Sequence, residues 1–115
     1  MLFKQLTDSW LSMPYHHDWL EKESRRLMAF YRNSKHPKGG FGALDIHGNL
    51  PADAQPESML TARMTHCFSI ASLQGEPGAG DLAKWGIDAL RGVLRDRECG
   101  GWLEGIQEQT PEGRK

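Results

Sequence analysis

Residues 59–80, MLTARMTHCFSIASLQGEPGAG, decide how the chain reads. At 3.6 residues per turn the stretch is a helix with two apolar stripes. Leu60, Met64, Phe68 and Ala71 make one; Met59, Arg63, Cys67 and Ile70 make the other, with His66 on the same side. Two stripes leave little of the helix for water, yet the second carries an arginine and a histidine one turn apart. The spacing predicts a helix over 57–74. Pro56 and Glu57 suit its first turn, and Gly75, which tolerates positive φ, suits its C-terminal cap.

On either side of this stretch, two more helices follow from the same period. One is predicted over 17–33, where Trp19, Leu20, Leu27, Phe30 and Tyr31 recur at three- and four-residue steps. Glu21 and Glu23 are placed in its first turn and Arg32 near its end, as the helix dipole favours, and Pro37 and Gly39 stop it. The other is predicted over 78–95, with Leu82, Trp85, Ala89, Val93 and Leu94 on its apolar face. Lys84, Asp88, Arg91 and Arg95 form its wet face. Between the first two helices, GFGALDIHGNL reads as a short hairpin turning at 45–48.

A weak repeat links these pieces. The first predicted helix is followed by Gly39-Gly40-Phe41 and the third by Gly100-Gly101-Trp102. Each time two glycines turn the chain and an aromatic starts an extended segment. A leucine and an acid follow, Leu44-Asp45 and Leu103-Glu104. Repeated helical hairpins read as part of an all-α toroid or solenoid, in which each hairpin needs a neighbour for its apolar face. One and a half hairpins cannot close such a ring, so the 115 residues read as part of one larger domain.

Composition narrows the function classes. Fourteen basic and fifteen acidic residues give a net charge of −1, with no electrostatic pull toward nucleic acid or an anionic membrane. No apolar run approaches a membrane span, and the first residues do not read as a signal peptide. Cys67 and Cys99 lack the CxxC spacing of a metal site or redox motif, and a reducing, cytoplasmic location is the expectation.

Arg63 and His66 have two readings. As a polar pair lining a cavity, Arg63 would fix a hydroxyl or carbonyl oxygen with its rigid donor fork. As a structural pair it would bridge to a neighbouring helix, the commoner fate of a helical arginine. Phe41 and Trp102 could present rings to a sugar, though glycine pairs are turn punctuation first. His16, His17, His36 and His47 lack metal-ligand spacing and read as structural or solvated, Asp45 as a turn residue, and most of the four tryptophans as core. GEPGAG lacks the Lys-Ser/Thr of a phosphate loop.

The segments WLEKESRRLMAFYRNSKHPKGGFGALDIHGNL and LTARMTHCFSIASLQGEPGAGDLAKWGIDALRGVLRDRECGGW resemble, in that order, the N-terminal part of the N-acylglucosamine 2-epimerase family. The likeness is to its mannose isomerase and sulfoquinovose isomerase branch and covers roughly residues 10–107. TARMTH, with LRDRECGGW downstream, is its most specific part. It implies an (α/α)6 barrel of which residues 1–115 are the N-terminal part, with the middle predicted helix inside the ring. It implies a monosaccharide substrate, aldose–ketose isomerisation or C2 epimerisation through an enediol, and no metal or nucleotide cofactor for turnover. The base for that chemistry is usually histidine. The family's paired catalytic histidines come from later helices, so no catalytic residue is assigned here and the chain alone is expected to be inactive.

Arg63 matches the arginine that points into the barrel toward the sugar. Met59 and Ala43 stand where relatives carry aromatics that line the site. His66 is expected to support a neighbour of Arg63, which completes the substrate-binding set Met59, Arg63 and His66. The competing reading is a non-catalytic helical module that covers its apolar faces with a partner or a second copy of itself.

Overall fold

The computed structural model describes residues 9–106. Three α-helices follow a short 3-10 turn at Trp10–Ser12: α1 (Pro14–Tyr31), α2 (Ser58–Leu73) and α3 (Ala79–Arg91). No strand longer than an isolated bridge occurs among the described residues, as an all-α reading requires.

α1 begins three residues before the expected start because Pro14 at its first position has its φ pre-set and no N–H to satisfy. Glu21 and Glu23 therefore lie beyond the first turn, contrary to expectation. They pair along the helix surface instead, Glu21 with Arg25 and Glu23 with Arg26, beside an Asp18–Lys22 pair. A 3-10 turn, Arg32–Ser34, closes the element. No α1 residue is buried, which corrects the expected apolar face. Trp19 and Leu27 are exposed, while Met28 touches the edge of the core.

α2 and α3 pack side by side. The predicted stripe of α2 forms the core: Met64, Phe68 and Ala71 are buried and Leu60 half-buried, against Ala79, Leu82 and Ala83 of α3. The Phe41 ring lies 5.6 Å from that of Phe68. Gly86 permits this approach, since a Cβ there would sit 1.9 Å from Thr65 Oγ1. The second stripe is mostly uncovered: Met59 is 68% and Ile70 43% exposed, and Cys67 alone packs against the edge of the core. α3 stops at Arg91, four residues before the expected end, where Gly92 breaks it. Leu94 tucks back into the core while Val93 leaves the predicted apolar face. Of the four tryptophans only Trp85 is part of the packed interior, and Trp10, Trp19 and Trp102 are exposed, correcting the core assignment.

The predicted hairpin is a turn without a ladder. The N–H of Asp45 donates to the Asn49 carbonyl and that of Gly48 to the Asp45 carbonyl. Asp45 Oδ1 accepts from the N–H groups of His47 and Asn49 at 2.8 and 3.0 Å, a side-chain-capped turn.

The repeat is real in three dimensions. Lys35 bridges to Phe41 and Arg95 to Trp102. His36 N–H donates to the Gly40 carbonyl and Asp96 N–H to that of Gly101. Both glycine pairs have positive φ. One loop buries its aromatic and the other does not: Phe41 is fully buried, Trp102 57% exposed.

A groove at the start of the second helix

The two repeated loops converge on the first turn of α2. Glu57 N–H donates to the Phe41 carbonyl at 3.1 Å, and Ser58 N–H to the Glu104 carbonyl at 3.0 Å. Ser58 Oγ also donates to the Leu103 carbonyl, and Glu57 bridges to Gly105. These stitches enclose an open groove of about 810 Å³ between the end of α1, the 42–46 loop, the start of α2 and residues 102–104.

Met59 and Arg63, one helical turn apart, both line this groove, and so does Ala43. Arg63 makes no ion pair or hydrogen bond among the described residues, so the structural salt bridge weighed for it is absent there. His66 does not join them: it is exposed and lies outside the groove lining. It stays on the same side of α2 but lies about 10 Å beyond Met59 along the axis, past Arg63, the last residue of the helix to line the groove.

Sequence reasoning missed most of the polar lining. Asp45, Glu57 and Glu104 face the groove with Arg63, and Phe30, Tyr31 and Trp102 add rings. A signal for two of the acids was present, since Asp45 and Glu104 are the acids that follow the two Gly-Gly-aromatic turns. Their convergence depends on contacts about 45 residues apart, such as Ser58 to Leu103, which local pattern does not encode.

Two other histidines are engaged elsewhere. His36 is buried; its Nδ1 accepts from Lys38 N–H, so Nε2 carries the proton and donates to the Ala54 carbonyl at 2.7 Å. His16 sits between Trp10 and Trp19, with ring centroids 5.2 and 5.9 Å away. No group of three or more His, Cys, Asp or Glu able to hold a metal occurs among the described residues. No helix among them is long and apolar enough to cross a membrane.

An unpaired guanidinium, carboxylates and rings in one groove are the groups that bind a polyhydroxylated ligand: a donor fork, acceptors and flat apolar surface. A family profile, N-acylglucosamine 2-epimerase (GlcNAc 2-epimerase), matches residues 39–114, which include the α2 and 102–104 walls of this groove. The chain belongs to the N-acylglucosamine 2-epimerase family. Within curated relatives, it is 48% identical over 100 residues to a D-mannose isomerase of Pseudomonas cannabina pv. alisalensis, covering 87% of this chain and 24% of that protein. It is 38% identical over 100 residues to a D-mannose isomerase of Thermobifida fusca, covering 87% of this chain and 25% of that protein. The chain thus spans about a quarter of the length of these epimerase-family relatives.

Proposed function

We propose that this chain supplies the opening helices of an (α/α)6 barrel and one wall of the sugar site of an aldose–ketose isomerase or 2-epimerase. The observation that carries this reading is the placement of Arg63, without a protein partner among the described residues, in a groove shared with Met59 and Trp102. The names of the two relatives favour the isomerase branch and D-mannose as substrate.

Proton abstraction next to a carbonyl builds negative charge on the carbonyl oxygen. A guanidinium that donates to that oxygen lowers the energy of the enediolate more than of the ground-state sugar. Arg63 is well placed for this role, because it rises from the second turn of a helix whose first turn is stitched to two loops. The proton-transfer groups are assigned to helices outside these 115 residues, so the chain alone would bind without turning over. Three lining acids against one arginine favour an uncharged sugar over a sulfonated or phosphorylated one.

The test is a chimera in which the matched 100 residues of the Pseudomonas D-mannose isomerase are replaced by those of this chain. It is expected to interconvert mannose and fructose, and Arg63→Ala is expected to lower kcat by about 100-fold or more, as for other oxyanion donors. A folded chimera without activity, or one indifferent to Arg63→Ala, would overturn the reading.

A further inference from the structure

The two repeated loops are built alike, but the second holds its aromatic out of the core. Trp102 is 57% exposed, where Phe41 in the equivalent place is fully buried. An exposed indole is normally free to change rotamer, yet this one is held twice. Its Nε1–H donates to the Leu90 carbonyl at 2.7 Å. The Arg95 guanidinium lies over the ring, 4.6 Å from its centroid. Arg95 is not among the groove-lining residues, whereas Trp102 is. The ring is therefore held by contacts with residues outside the groove that Trp102 itself lines.

Two residues on, Glu104 is held through its main chain. Its carbonyl accepts from Ser58 N–H, and the preceding carbonyl accepts from Ser58 Oγ. Its carboxylate is exposed and makes no hydrogen bond or ion pair among the described residues. The main chain is anchored while the acceptor oxygens stay free, in the groove that also receives Arg63.

We propose that Trp102 and Glu104 form a sugar-recognition element, Trp102 packing against the C–H face of a pyranose ring and Glu104 accepting hydrogen bonds from its hydroxyls. A pyranose is the ligand that uses both halves: it has an apolar face made of C–H groups and a rim of donors. A carboxylate accepts from two adjacent hydroxyls at once. Fixing the indole and the Glu104 main chain in advance reduces the ordering cost of binding. The assignment rests on the sugar-site reading above, and it names the groups that recognise the ring rather than the reacting carbons.

The test is the 115-residue chain followed by amide and side-chain N–H NMR during titration with D-mannose. The Trp102 indole N–H and the Arg63 Nε–H are expected to shift together while the Trp10 and Trp19 indoles stay in place. Glu104→Gln, an exposed and nearly isosteric change, is expected to weaken the titration about tenfold, the effect of one hydrogen bond to a charged group. Trp102→Leu is expected to abolish it. A shift at Arg63 without one at Trp102 would overturn the inference and leave the sugar-site reading standing. So would a titration that neither variant alters. No shift at either residue would remove both.

Discussion

At the scale of single residues, Asp45 and Glu23 show two different uses of a carboxylate. Asp45 Oδ1 accepts two backbone N–H groups and closes the turn that carries part of the groove wall. Asp45→Ala is expected to cost about 1 kcal/mol in chemical denaturation, the usual worth of such a side-chain cap, while Asp45→Asn keeps most of it. Glu23 lies on the surface of α1, and the Arg26 guanidinium hydrogen-bonded to it holds its carboxyl below the usual carboxylate range. A group lowered on folding stabilises the fold above its unfolded value, and that contribution disappears as the pH falls through the lowered folded value. Arg26→Gln is expected to move the Glu23 titration midpoint upward by NMR. An unchanged midpoint would mean the pair does not form in solution. Asp45 was legible as a turn residue in the 45–48 turn, whereas helical spacing put Met59 and Arg63 on one side of the helix and only the family resemblance pointed them at a sugar. Glu57 was read only as a helix start, because its place in the groove depends on bonds to Phe41 and Gly105.

At the scale of elements, the α2–α3 pair rests on close approach. Gly86 faces Thr65, whose Oγ1 donates to the Thr61 carbonyl at 2.7 Å and has little room to move. Gly86→Ala is expected to destabilise by about 2 kcal/mol, as overpacked cores do, despite the better helix propensity of alanine. Thr65→Ala removes the obstructing oxygen, so the double variant should recover part of the loss in a denaturant midpoint. The core stripe of α2 was legible because Leu60, Met64, Phe68 and Ala71 keep strict helical spacing. The end of α3 was not: Val93 and Leu94 continue the period on paper, but Gly92 turns the chain and only Leu94 returns to the core. α1 misled for a different reason. Its apolar residues recur at helical steps, and period reports which face could be buried, not whether anything lies against it.

At the scale of the whole molecule, the described residues leave many large apolar side chains uncovered. α1 buries no residue, and Trp10, Trp19, Ile70 and Trp102 are all open to solvent. Trp19→Glu is accordingly expected to leave the unfolding free energy within about 0.5 kcal/mol of the parent, as surface changes do. It should also reduce concentration-dependent association in sedimentation. If it unfolded the protein, α1 would be packed in a way this arrangement does not contain. Phe68→Ala, at the centre of the core, is expected to cost about 3–5 kcal/mol.

The extended pairings at Lys35 with Phe41, Glu57 with Gly105 and Arg95 with Trp102 each consist of one rung. A single rung offers no row of free backbone donors and acceptors onto which another chain could add. Sticky helices with no sheet edge among the described residues should gather through side chains alone, in clusters that dissolve on dilution rather than growing into cross-β fibres.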